Sequence, residues 1–476
     1  MIEITRSLAR TLSTVLRKCF RKTQGGTSPV LTLTSDGDGM RIRCFNHEVA
    51  VEHFQVGNLP TRTMSLPLDA LTACQGRDDG RVTLESASDN QVVARWHDAG
   101  MPQAMTFTVS ENKNGPTFPV GPELLTDCPV RFLTAFDIAA ATTAASATRY
   151  ALERVQLRGK AGQVVGTDSK QLYVEGGFKL GFDDNVLVPR VSVFGCPELQ
   201  TEESIQIGKT ETHVVIGVGP WKFFLAIDQA GRFPDFEAII PKPRASDAIC
   251  RFDPADADFL TRSLPRLPGR EIDSRPLTLD LNGKVSVRAR GEASAQVTEL
   301  VLSRTAYSGA AVRVNLHRDN LARALELKLT DLHIHDPDRP LVCRDDRRMY
   351  VMMPLNRRSA IPETDGALRL VSSDTVPRPM KVAPPGPEKS TMTTPLTNGN
   401  VTPAAASRQR VSTPPEGKNR IGMVALMAEA QAVKESARST FNLASRLLAG
   451  LKRHRQQSKL VANTLASLKQ LQTIDG

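Results

Sequence analysis

Apolar residues recur at three- and four-residue steps from Ile4 to Phe20, through Leu8, Leu12, Val15, Leu16 and Cys19, which predicts a helix over that span. Arg6, Arg10, Arg17, Lys18, Arg21 and Lys22 lie largely off this stripe. The period then changes to two. Val30 to Leu33 and Met40 to Arg43 read as strands around the turn Ser35-Asp36-Gly37-Asp38-Gly39. Leu66 to Cys74 reads as a second, short helix, and Arg81 to Glu85, Val92 to Trp96 and Met105 to Ser110 read as further strands.

The same succession restarts twice. After Pro119 an Ala-rich helix is predicted from Arg131 to Thr148, then strands at Val155–Leu157 and Gln163–Val165, with a short helix near Pro189. After Pro241, Asp253-Pro254 places a capping residue before a proline at the first helical position. Leu277–Leu281 and Val285–Ala289 flank an Asn282-Gly283 hairpin turn, and Arg318 to Leu327 reads as the last short helix before a strand at Met349–Met353. The expectation is an α+β protein of three repeated domains, 1–125, 126–242 and 243–358. Three unrelated α+β domains are the alternative.

The pattern breaks after that. Residues 359–418 are expected to form a disordered linker, because Pro377–Pro415 holds nine prolines and almost no large apolar groups. Residues 419–476 resume a helical stripe through Leu426, Val433, Phe441, Leu447 and Leu451, which predicts a basic amphipathic helical tail. Of the net charge of +10, the whole excess lies in residues 376–476, with 15 Lys or Arg against five Asp or Glu. The first 375 residues are balanced, so total charge does not decide nucleic-acid binding. No apolar run approaches the roughly 18 residues of a membrane span. The start of the chain lacks a signal-peptide core, and the seven cysteines are dispersed without a Cys-x-x-Cys pair. A cytoplasmic protein with reduced thiols and no membrane partner is expected.

Three segments carry a resemblance. Gly231-Arg232-Phe233-Pro234-Asp235-Phe236 looks like the Phe-Pro-Asp-aromatic connector of the bacterial DNA sliding clamp, the β subunit of DNA polymerase III. Gly166-Thr167-Asp168-Ser169-Lys170-Gln171-Leu172 resembles that family's Thr-Asp-Gly-His-Arg-Leu loop, and Tyr350-Val351-Met352-Met353-Pro354-Leu355 resembles its Tyr-Val-Val-Met-Pro-Met run. The resemblance covers about residues 1–356. It implies clamp-type domains with helices on the inner wall of a ring and antiparallel sheets outside, closed as a homodimer around double-stranded DNA. Such a processivity factor is no enzyme and needs no cofactor. Its partners would be the catalytic subunit of DNA polymerase III and a clamp loader.

Carried over by position, the DNA-facing residues would be Arg6, Arg10, Arg17, Lys18, Arg21, Lys22, Arg149 and Tyr150. The pocket for partner peptides would be walled by Arg149, Leu152, Thr167, Leu172, Pro234, Ile239, Val351, Met352, Met353, Pro354 and Leu355. Phe107 and Val109 are candidates for the dimer interface, facing a surface near Leu260 to Leu267 of a second copy. Ser169, Lys170 and Gln171 depart from the family's Gly, His and Arg, so an altered rim is expected. Two other readings compete. One is a divergent clamp-like scaffold acting through its cleft and helical tail. The other is a metal-dependent hydrolase, because His333 and His335 would share one face of a strand.

Overall fold

The computed structural model describes residues 1–20, 29–88, 90–109, 117–146, 150–201, 203–244 and 247–374, all within one compact unit, Met1–Met380. Ile2 and Ile4 alternate inward on strand β1 (Ile2–Thr5), and the helix α1 (Arg6–Cys19) starts only after it. Thr5 makes the switch. Its side chain accepts the Leu8 N–H at 3.1 Å, satisfying one of the donors a helix start leaves over. Strands β2 (Val30–Asp36), β3 (Gly39–Phe45), β4 (Val49–Val56) and β5 (Arg62–Pro67) follow. Helix α2 is Leu68–Cys74, so the expected helix at Leu66 is strand as far as Pro67. Strands β6 (Arg81–Ser88), β7 (Gln91–Asp98) and β8 (Met101–Thr108) complete the first repeat.

The second repeat runs β9 (Thr126–Pro129), α3 (Arg131–Thr142), β10 (Arg154–Arg158), β11 (Gln163–Thr167), β12 (Gln171–Glu175), β13 (Asn185–Pro189), β14 (Ser204–Lys209), β15 (His213–Val218) and β16 (Trp221–Ala226). Helix α3 stops six residues before the expected Thr148. The Thr142 and Thr143 hydroxyls bond back to the Ile138 and Ala140 carbonyls, both at 2.7 Å, and compete with continuation. In place of the short helix expected near Pro189 stand two helical turns, Val193–Gly195 and Pro197–Leu199. Phe194 wedges edge-on between Phe136 and Phe223, with ring centroids 5.0 and 5.2 Å away.

The third repeat runs β17 (Ala248–Arg251), α4 (Pro254–Ser263), β18 (Pro276–Asn282), β19 (Lys284–Arg290), β20 (Val297–Leu302), β21 (Ala306–Ser308), β22 (Val312–His317), α5 (Arg318–Glu326), β23 (Asp331–Ile334), β24 (Leu341–Arg344) and β25 (Arg348–Met352). Asp253 caps α4 through the Ala255 N–H at 2.9 Å. Gly283 takes the positive φ of +70° that the two-residue turn between β18 and β19 demands. Residues 359–374 depart from the expected disordered linker. They hold a strand, β26 (Leu368–Val371), and a helical turn at Ser372–Asp374. The remainder of that linker and the expected helical tail lie outside the described residues.

Strand order shows the repetition that sequence identity is too weak to prove. The half-sheets run β5-β2-β3-β4, β13-β10-β11-β12 and β22-β18-β19-β20, and their companions run β1-β6-β7-β8, β9-β14-β15-β16 and β17-β23-β24-β25. Half-sheets of successive repeats merge edge to edge. β4 pairs antiparallel with β16 from Val49↔Leu225 to His53↔Trp221, and β12 pairs with β25 from Gln171↔Met352 to Glu175↔Arg348. Helices α1, α2, α3 and α5 pack against strands of these sheets, and Leu12, Val15 and Leu16 of α1 are at most 2% exposed. Each such burial contributes about 1.5–3 kcal/mol. All seven cysteines are free thiols, six of them buried. Among the described residues no helix is long and apolar enough to cross a membrane.

Candidate functional site

On α1 the six candidate cations divide. Arg6 is 8% exposed. Its guanidinium pairs with Asp78 at 2.9 Å and Asp98 at 2.8 Å and donates to the Cys74, Gln75 and His97 carbonyls. A Cβ on Gly76 would come within 2.7 Å of it, so the space around this side chain is closed. Arg6 is therefore a structural clamp between α1, the loop that carries Asp78 and the end of β7 at Asp98, a correction to its candidacy as a phosphate contact. Arg10, Arg17 and Lys18 are exposed on the helix layer, while Arg21, Lys22 and Arg149 lie outside the described residues. Tyr150 is partly buried, and its carbonyl accepts the Leu152 N–H at 2.8 Å. The other helices are mixed in charge. Arg262, Arg266 and Lys328 are exposed alongside Asp258, Asp319 and Glu326. Arg323 of α5 donates to the Ile138 carbonyl at 2.8 Å, where a cation complements the C-terminal end of α3.

The connector is anchored by its second aromatic. Phe236 is 7% exposed and sits in an apolar cluster with Val165, Leu172, Val174, Val342 and Val351. Phe233 meets it edge-on at 6.4 Å, and the Arg158 guanidinium lies over the Phe236 ring while pairing with Glu237 at 2.6 Å. The Ala151 N–H bonds to the Arg232 carbonyl at 2.9 Å, tying the connector to the Tyr150–Leu152 segment.

Of the peptide-pocket candidates, Leu172, Val351 and Met352 lie on the β12·β25 seam, with Thr167 and Met353 at its end. Leu172 and Val351 are cross-strand partners there and are 3% and 2% exposed. Thr167 is buried with its hydroxyl on the Gln171 carbonyl at 2.7 Å, and the Met353 N–H bonds to the Lys170 carbonyl at 2.8 Å. Ser169 holds a φ of +75°, a conformation glycine adopts freely, and the Asp168 carboxylate steadies the turn by accepting the Lys170 and Gln171 N–H groups. Ile239 is 52% and Met353 37% exposed, and Leu152, Pro234 and Pro354 are partly buried. Met352 does not join them. Strand alternation turns it to the opposite face, into the main core at 0% exposure. Leu355 lines a different cavity of 470 Å³ with Pro276, Asn315 and Ile361.

Phe107 lies on β8, an outer strand of its sheet, and is half-buried. Val109 lies beyond the strand's end, 5% exposed, with its N–H on the Asn90 carbonyl, so it serves the core and not an edge. The exposed apolar groups of β8 are Met101 and Met105, at 65% and 50%, which the alternation alone left undistinguished. The surface near Leu260 to Leu267 is corrected likewise. Leu260, Leu264 and Leu267 are all buried, and Arg262, Pro265 and Arg266 are what that stretch exposes.

His335 Nδ1 bonds to Asp247 Oδ1 at 2.8 Å, and both histidines line a small cavity with Arg344 and Pro340. Burial, then the nearby Arg344 cation, hold the His333 imidazole below its ordinary pKa. Among the described residues no group of three or more His, Cys, Asp or Glu is assembled to hold a metal ion.

No family model matches the sequence, and no curated protein matches it either. Solved structures do. The DNA polymerase III subunit beta of Pseudomonas aeruginosa aligns at a TM-score of 0.61 and 19% identity, over 75% of this chain and 99% of that one. The DNA polymerase sliding clamp of Caulobacter crescentus aligns at 0.61 and 18%, over 74% and 99%. The beta subunit of the Streptococcus pyogenes DNA polymerase aligns at 0.61 and 14%, over the same shares. Over about three-quarters of its length this chain has the fold of the bacterial DNA sliding clamp.

Proposed function

We propose that this chain is a DNA sliding clamp, a homodimeric ring that encircles duplex DNA and tethers a replicative polymerase without chemistry of its own. The repeated seam carries the proposal. Two antiparallel joints, β4·β16 and β12·β25, link the three repeats, and at the two ends of this succession stand β8, an outer strand of its sheet, and β20, whose corresponding edge is taken by β26. A second copy completes both once β26 is displaced from β20. Tethering then acts through effective concentration and asks for no tight DNA contact. Arg10, Arg17 and Lys18 supply the sequence-independent attraction to phosphates.

The test is retention on nicked circular DNA after loading by an ATP-driven clamp loader. The full chain is expected to stay on the circle through gel filtration and to be lost when the circle is linearised. Equal loss from both forms would remove topological tethering. Changing Arg10, Arg17 and Lys18 to Gln together is expected to lower the salt slope of DNA binding by up to about three.

The cleft over Leu172 and Val351 is the proposed site for apolar anchors of partner peptides, such as those of the polymerase catalytic subunit and the loader. Met353 adapts its shape to varied partners. Met353→Ala with Ile239→Ala is expected to weaken peptide binding by about 1–3 kcal/mol while leaving thermal stability unchanged, because both side chains are exposed. Calorimetry with unchanged affinity would move the cleft elsewhere. A clamp-like scaffold acting as a single copy is the second reading, favoured by the fact that β26 already lies on the edge of β20.

A further inference from the structure

The edge that would close the ring is not open. In each repeat the fourth strand of the first half-sheet forms the joint: β4, then β12, then β20. β4 and β12 meet antiparallel strands of the next repeat, whereas β20 meets β26, a four-residue strand that follows the third repeat in this same chain, in parallel. The register is definite. Thr298, Glu299, Leu300 and Val301 face Leu368, Arg369, Leu370 and Val371. Arg369 Nε bonds to Glu299 Oε2 at 2.6 Å, Gln296 Nε2 to the Gly366 carbonyl at 2.7 Å, and the Ser303 N–H to Ser372 Oγ at 3.0 Å.

The attachment is nonetheless light. Leu368 is 60% and Leu370 42% exposed, and the ladder has four residue pairs. At the β4·β16 joint, by contrast, Val51, Phe223 and Phe224 are buried around an antiparallel ladder. Parallel pairing is also somewhat weaker per residue than antiparallel.

We infer that residues 361–374 are a strap that occupies the ring-closing edge of β20 and excludes β8 of a second copy of this chain. The inference rests on the reading of the chain as a clamp closed by two copies. β8 is the excluded partner because it is the counterpart of β16 and β25, is an outer strand of its sheet, and exposes Met101 and Met105. The strap is tethered and so competes at high effective concentration. Only the unstrapped fraction is competent to pair, and the apparent dimer affinity falls by that fraction. Ring closure is thereby made conditional on displacing a segment of the same molecule.

The experiment is sedimentation equilibrium on the full chain and on full-length variants. Arg369→Glu with Leu370→Pro sets an acid against Glu299 and distorts the short strand, and should tighten dimerisation about tenfold or more. Val301→Cys with Val371→Cys joins two cross-strand partners. Its oxidised form should be monomeric at concentrations where its reduced form dimerises. Met105→Asp in the released background should return that variant to monomer, identifying β8. An oxidised form that dimerises like the wild type overturns the strap, and the ring reading then stands if Met105→Asp still abolishes that dimer. Monomers throughout, the released variant included, overturn both.

Discussion

Replacing Arg288 by methionine is expected to lower the unfolding free energy by about 3–5 kcal/mol, the scale of a buried ion pair that loses one partner. Arg288 is 1% exposed in the middle of the third repeat's sheet. Its guanidinium reaches Asp280 at 2.5 Å, Glu299 at 2.9 Å and the Ser286 hydroxyl at 3.2 Å. Both carboxylates are buried, Asp280 at 3% and Glu299 at 0% exposure. Burial pushes the Glu299 carboxyl up, but the bonds from Arg369 and then Arg288 outweigh it and hold its pKa below the ordinary value. Methionine fills the space and leaves two anions to Arg313, Arg369 and Lys284, each half exposed or less. Urea unfolding of the full chain measures the loss. A change below about 1 kcal/mol would mean that those outer cations satisfy the carboxylates unaided. Removing the acids as well, with Asp280→Leu and Glu299→Leu, is expected to recover much of the stability, because the uncompensated charge is what costs.

Acidification from pH 7 towards 4 is expected to remove about 3 kcal/mol of stability through His53 alone. This imidazole lies on the β4·β16 seam, opposite Trp221, with ring centroids 4.5 Å apart. Burial lowers its pKa to about 4, and its Nδ1 has no hydrogen-bond partner. The unfolded chain binds the proton near pH 6.5, while the folded chain refuses it until about pH 4. Stability therefore falls with pH between those two values and levels off below the lower one. His213, His317 and His333 are shifted down by burial too and add losses of the same sign. The comparison that isolates His53 is the pH dependence of unfolding in the wild type against His53→Phe. Parallel curves would clear His53 of the effect.

Local periodicity carried the helices and many of the strands, because a stripe or an alternation is written within a dozen residues. Ile2 and Ile4 show the limit of that signal. They satisfy the start of a helical stripe and the alternation of a strand equally well, and only pairing with Val82 and Leu84 decides for the strand. Arg6 was misread for the same reason. Its charge is local information, but the partners that bury it, Asp78 and Asp98, are 72 and 92 residues away. The connector and the seam residues Leu172 and Val351 were legible as motifs, whereas the outward or inward turn of Met352 against Met353 depended on the register of β25. β26 was hidden by composition. Leu-Arg-Leu-Val is a fair strand, but it borders a proline-rich stretch and gains its meaning from Glu299.

The succession of joints also gives the molecule a polarity. On the proposed ring β8 would be one end of the succession and β20 the other, and they belong to different sheets of the same chain. Complementary patches of that kind associate head to tail, and such contacts close into rings only when the rotation per copy permits; otherwise they grow into filaments. A protein built this way carries a standing polymerisation hazard. Covering one of the two ends would cap the growing species at its first member, so the strap we infer would, besides delaying ring closure, keep free subunits from assembling without limit.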